Sequence, residues 1–213
     1  MIFLILAFAL LISAGYYIST QRLSWENGWK KIPLPTLKSN IVALTEKADF
    51  LTNQANSLDR LETVIDVQKR ILNINPLHFE TLWKLSRNTR FHGQIYASNV
   101  QIRRASYLQS IQLAERALYT NQDFKKLIDS NTAPWNATEA LCIEDLPALH
   151  YYFLGIFSMF LTDMNKPKKL INAHWINRSK AFVKRMIELD HTWGGGHPHY
   201  DRALYLCQLP SWL

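Results

Sequence analysis

The segment DHTWGGGHPHYDRALYLCQLP, from Asp190 to Pro210, gathers residue types that do chemistry around three consecutive glycines. His197 and His199 alternate as His-x-His, with His191 and Asp201 close by, a donor set of the kind zinc and iron use. On a strand, such alternation would aim both rings to one side. Here Pro198 stands between them at a helix start, where residues two apart diverge. No Glu or Asp is placed as a general base either. His191, His197 and His199 are therefore weak metal candidates, expected to cap and pack; no metal or cofactor is assigned.

The glycines admit a second chemistry, the cradling of a phosphate. A P-loop needs a following Lys-Ser/Thr and a dinucleotide fold needs a preceding strand, and neither is present. Glycine after a helix instead accepts the left-handed backbone that ends it. No Gly-x-Ser-x-Gly nucleophile elbow occurs, and Cys142 in ALCIEDLP has no local helper. The expectation is a protein that is not an enzyme. What remains is binding: aromatic and arginine side chains supply area and donors on a concave helical face. Trp83, Arg87, Tyr151, Tyr152 and Tyr200 are the candidate ligand or partner residues, with Arg90 on the Trp83 and Arg87 face.

Positioning these side chains requires helices. The 213 residues suit one domain, and a 48% hydrophobic, 12% aromatic composition is that of a folded chain. The net charge of +7 is scattered in doublets such as Arg103-Arg104 and Lys168-Lys169, without a nucleic-acid module, so no nucleic-acid partner is expected. Strand-like alternation is scarce. Tyr107, Ile111, Ala114 and Leu118 form one apolar stripe, and Trp175, Phe182, Met186 and Leu189 another. In HFETLWKLSRNTRFHG (His78–Gly93), Leu82, Leu85 and Ser86 are expected to pack inward. LPALHYYFLGIFSMFL (Leu146–Leu161) is apolar nearly all round. With Pro147 in its first turn and Asp145 as expected cap, it reads as the central helix of a bundle.

Three stretches echo one another: ILNINP (Ile71–Pro76), ALYTNQ (Ala117–Gln122) and MIELDH (Met186–His191). Each closes a helix, carries Asn or Asp, and precedes a new helical segment, as in tetratricopeptide repeats. The spacing is irregular and only the first keeps the closing proline. The fold class read from this is all-α: degenerate tetratricopeptide-like repeats in a compact solenoid or bundle, residues 42–213.

Residues 1–20, MIFLILAFALLISAGYYIST, carry no charge and read as a signal peptide or membrane anchor. Small residues Ser13 and Gly15 are placed for cleavage before Tyr16. Residues 21–41, including NGWKKIPLPTLKSN, read as a linker or arm. Arg22, Lys30 and Lys31 follow the apolar run and none precedes it, which by charge alone would leave the body in the cytoplasm. A short leader is the commoner arrangement, so export is the expectation and orientation stays open. Cys142 and Cys207 fit either one disulfide or two thiols.

Four pieces taken in order, ILNINPLHFETLWKLSRNTRFHG, YLQSIQLAERALYTNQDF, DLPALHYYFLGIFSMFL and IELDHTWGGGHPHYDRALYLCQLP, resemble the T component (TatT) of tripartite ATP-independent (TRAP) transport systems. The likeness covers about Ala48 to Pro210. The leader departs from it in lacking a lipid-anchor cysteine, and Gln122 and His191 stand where prolines are expected. The resemblance implies a periplasmic repeat fold around a cavity for an apolar or amphipathic small molecule, and docking to the transporter's substrate-binding subunit. A membrane-anchored tetratricopeptide-like scaffold without a transport role is the alternative.

Overall fold

The computed structural model describes residues 2–21, 32–36 and 40–208, all of whose regular structure is helical. Ten α-helices follow in order among them: α1 (Ile2–Gln21), α2 (Ile41–Thr52), α3 (Leu58–Ile74), α4 (Phe79–Phe91), α5 (Val100–Leu118), α6 (Gln122–Asp129), α7 (Leu146–Ser158), α8 (Lys166–Ile171), α9 (Ala173–Asp190) and α10 (Trp193–Gln208). Several start on a side-chain cap that satisfies otherwise orphaned N–H groups. Asn40 accepts from Val42 N, Asn99 from Ile102 N and Asn165 from Lys168 N. At α4 it is the Nδ1 of His78 that accepts, from Thr81 N.

The three echoed stretches close α3, α5 and α9, and they share one hydrogen bond. Asn75 Oδ1 accepts from Leu77 N at 3.1 Å, Asn121 Oδ1 from Asp123 N at 3.1 Å, and Asp190 Oδ1 from Thr192 N at 2.8 Å. Each is an Asx turn, the side chain holding the N–H two residues on, with Pro76 inside the first and no proline inside the other two.

Consecutive helices pack on one another from α2 to α5, and α7 then sits against α4, α5, α9 and α10. The apolar Leu146–Leu161 stretch is thus central, as its all-round hydrophobicity requires. Leu149, Phe153 and Phe157 are buried on it, and Leu82, Leu85 and Ser86 face inward from α4. α7 approaches α5 closely at Gly155, where an added Cβ would lie 2.7 Å from Ile111 Cγ1. Asp145 does not cap α7. Its carboxylate turns back to accept from Cys142 N at 2.9 Å and Asn121 Nδ2 at 2.7 Å, tying the loop to the start of α6. The helix of Leu146–Leu161 also ends earlier than its hydrophobicity suggests, passing at Met159–Asp163 into a π-helical turn.

The described part of the arm, Ile32 to Thr36, lies on the domain: Ile32 packs against the main core and Thr36 N donates to Asn73 O at 2.7 Å. Residues 22–31 of the arm, with Arg22, Lys30 and Lys31, residues 37–39 and the closing Leu209-Pro210 lie outside the described residues. Helix α1 carries no charged residue, and its described side chains, Ala7 and Leu10 to Ser19, are all exposed. Among the described residues, no helix is long and apolar enough to cross a membrane. Cys142 and Cys207 are free, exposed thiols.

Candidate functional site

Helices α4 and α10 both pack on α7, and side chains contributed by the three helices form the candidate site. On α4, Trp83, Arg87 and Arg90 follow at i, i+4 and i+7, one helical face. The Tyr151 ring of α7 stacks parallel to Trp83 with centroids 6.0 Å apart, and the Arg87 guanidinium lies 5.8 Å from the Trp83 ring. Cation–π attraction holds Arg87 there while Arg87 Nε donates to Asn88 Oδ1 at 3.2 Å. Burial raises the Tyr151 hydroxyl above its ordinary range, with the Arg87 and Arg90 charges acting the other way. The phenol is neutral at pH 7 and can donate.

Arg90 lies deeper, with 9% of its surface exposed. Its Nη1 donates to Gln94 Oε1 at 2.7 Å, and its Nε has no partner. No carboxylate lies within ion-pair distance of it among the described residues. Burial lowers its pKa, and Tyr151, Tyr107, Tyr200 and Asp201 pull the other way. A guanidinium stays charged even so. A buried cation with an open donor costs free energy unless an anion approaches it.

From α10, Asp201 Oδ2 accepts the Nδ1–H of His150 at 2.7 Å, and both are buried. His150 in turn stacks on His197, centroids 4.6 Å apart and nearly parallel, with Trp193 edge-on to both rings. An aspartate orienting a histidine through Nδ1 is the base half of a nucleophilic triad. Among the described residues, no hydroxyl or thiol hydrogen-bonds His150, so the arrangement holds an orienter and a base without a nucleophile in reach. Asp201 Oδ1 and Tyr107 Oη are buried and unpartnered.

Of the residues singled out from sequence, Trp83, Arg87 and Tyr151 come together, and Tyr200 borders them, more than half exposed and within electrostatic reach of Arg90. Tyr152 does not join them. It is buried against Phe182 of α9, centroids 4.8 Å apart, because adjacent residues of a helix point about 100° apart. The three histidines divide: His197 turns in to His150, while exposed His199 and His191 meet edge-to-face at 5.5 Å. No group of three or more metal-ligating side chains forms among the described residues. Sequence reasoning missed His150 and Asp201 as a pair and set Arg90 aside from its candidates. A histidine inside an apolar helix was the one available signal, since such a ring needs a buried partner.

Gly194, Gly195 and Gly196 have φ of +60°, +76° and +98°, a left-handed kink within the first turn of α10, just past the end of α9. Gly195 N and Gly196 N both donate to Thr192 O, which satisfies the helix-end carbonyl. That turn is what brings His197 and Asp201 back over α7.

Two clefts lie elsewhere. One of about 290 Å³ between α3, α4 and α5 is polar, with Glu62, Asp66 and His92 on its walls. The other, of about 470 Å³, runs between α9 and α10. No family model matches this chain, and no curated protein is similar to it.

Proposed function

We propose that this chain is a non-enzymatic helical-repeat binding protein, of the kind the TRAP-transport T component represents, and that the side chains between α4, α7 and α10 line a groove that is its ligand site. The observation that carries this is Arg90, buried without a carboxylate partner beside the stacked Trp83–Tyr151 pair. That combination suits a small amphipathic anion: the flat pair offers apolar area, while Arg87 and Arg90 offer charge-assisted donors. The exposed phenol of Tyr200 supplies a polar edge. Docking to a substrate-binding subunit, a repeat-type stacking of the helix pairs and a periplasmic location belong to the same proposal. They rest on the four-piece resemblance and on the three Asx-turn helix closures.

The test is displacement of the fluorescent aromatic anion 1-anilinonaphthalene-8-sulfonate from the full chain. Arg90→Met is expected to weaken probe binding at least tenfold, with an unchanged far-ultraviolet circular dichroism spectrum showing that the helices remain folded. Trp83→Ala is expected to weaken it as well. Unchanged probe binding in both variants would sink the groove assignment.

A second reading, a membrane-anchored scaffold, draws on α1, charge-free over 20 residues and exposed along its described length. Cell fractionation together with the mass of the mature chain separates the two. A chain retaining Met1 in the membrane fraction favours the scaffold, and a processed soluble chain favours the exported binding protein.

A further inference from the structure

The cleft between α9 and α10 is distinct from the α4/α7/α10 groove, and its chemistry differs. On α9 its residues recur at i, i+3, i+4, i+7 and i+8, from Lys180 to Glu188, and on α10 at i, i+3 and i+4, from Arg202 to Leu206. Two helical stripes therefore face one trough. Its floor is apolar: Val183 and Tyr205 are nearly buried, Ile187 is half-buried, and Leu206 remains 52% exposed. An exposed leucine beside a concave apolar floor leaves area that a ligand chain would remove from water.

The rim is cationic and only partly neutralised. Lys184 Nζ lies 3.3 Å from Glu188 Oε1, and Arg185 Nη1 lies 3.6 Å from Glu188 Oε2, so the one carboxylate among the described residues of the cleft is already taken by two cations. Lys180 on one wall and Arg202 on the other have no carboxylate partner among the described residues. Size decides between occupants. The α9 stripe spans about 12 Å at 1.5 Å per residue, some two helical turns. A stable protein interface needs roughly 800 Å² on each side, far more than four apolar residues provide. A volume of about 470 Å³ is instead that of a small-molecule pocket, mostly apolar with a few placed charges.

We propose that the α9/α10 cleft binds a free single-chain acyl carboxylate, its hydrocarbon on Val183, Ile187, Tyr205 and Leu206 and its carboxylate between Lys180 and Arg202. This second site goes beyond the groove reading and does not depend on it.

The test is titration calorimetry of the full chain with octanoate, decanoate and dodecanoate below their micelle concentrations, and with decanol. Affinity is expected to rise about fourfold per added methylene until the cleft is full, the fold-change that burying one CH₂ gives. Decanol is expected to bind at least tenfold more weakly than decanoate. Reversing the exposed charges, Lys180→Glu with Arg202→Glu, is expected to lower decanoate affinity tenfold or more. In Trp83→Ala, the decanoate binding that depends on Lys180 and Arg202 is expected to persist. No binding across the series, an affinity independent of chain length or of the carboxylate, or indifference to the double charge reversal would each overturn the assignment. So would loss of decanoate binding in Trp83→Ala, which would place the ligand in the other groove.

Discussion

His150 and Asp201 stand 51 residues apart and meet at 2.7 Å in the interior, where α10 is folded back over α7. The pair joins two helices by one charge-assisted hydrogen bond between two buried side chains. Asp201→Ala is therefore expected to cost about 3 kcal/mol, because it strands the Nδ1–H of His150. Replacing both, as Asp201→Ala with His150→Phe, is expected to recover much of that loss, since two apolar groups leave no orphan. Urea unfolding of the two single variants and the double variant gives the coupling directly. A strictly additive cycle would mean that the two residues do not act as a pair.

The same cluster sets a pH dependence. Burial, followed by the neighbouring His150, lowers the pKa of His197 below 6.5, while burial raises that of Asp201 above 3.8 despite the opposing bond from His150. For His197 the unfolded chain binds the extra proton between the lowered folded value and 6.5, so stability rises with pH across that window. It is fully present above 6.5 and lost as pH falls through the folded value. For Asp201 the sign is opposite: its contribution is present below 3.8 and lost as pH rises through the raised folded value. Where the two windows overlap the contributions oppose one another, so replacing His197 is what isolates its part of the slope. Urea midpoints at pH 5, 6 and 7 are expected to climb in the wild type, and His197→Gln is expected to flatten them. An equal slope in the variant would remove His197 as the source.

These two groups also mark where sequence reasoning stopped. Trp83 and Arg87 were legible as one face because both lie on α4, four residues apart, where helical period alone decides. Tyr151 and Tyr152 lie on a helix that is apolar on every side, so nothing local said which one met Trp83; only the placement of α4 and α9 around α7 decides it. Asp201 looked like a neighbour of the histidine-glycine segment because it is close in sequence, yet its partner lies on α7. Asp145 looked like a cap for α7, and the local bond back to Cys142 N together with the long-range bond to Asn121 won. The glycine run was legible for the opposite reason: its constraint lies in the backbone itself.

Cys142 is exposed, yet its thiol is pushed up to about 11, by burial first and then by hydrogen bonds to Glu144 and Asp145, whose negative charge opposes thiolate formation. The Sγ–H donates to Asp145 Oδ2 at 3.2 Å. At pH 8 only about a thousandth of Cys142 is thiolate, the reactive species. Disulfide-exchange reagents are expected to label exposed Cys207 first, and Asp145→Asn is expected to accelerate labelling of Cys142. Equal rates at the two thiols in the wild type would contradict this.

The three glycines at the end of α9 are not equivalent, although all have positive φ. At Gly195 and Gly196 nothing lies within 4 Å of where a Cβ would stand, so a side chain there meets only the backbone strain of the left-handed region. That strain costs about 1 kcal/mol for a non-glycine residue. At Gly194 the added Cβ would also run into the His197 ring, whose Nδ1 is the nearest atom. His197 cannot yield freely, because its ring is stacked on His150 on one side and meets the edge of Trp193 on another. Gly194→Ala is therefore expected to cost about 2 kcal/mol or more, against about 1 for Gly195→Ala, the excess arising from a displaced His197. Two readouts separate strain from displacement. Urea unfolding ranks the two variants, and the pH slope attributed to His197 is expected to shrink in Gly194→Ala while persisting in Gly195→Ala. If both variants kept that slope and lost the same stability, the glycines would serve the turn alone and His197 would be held by α7 without them.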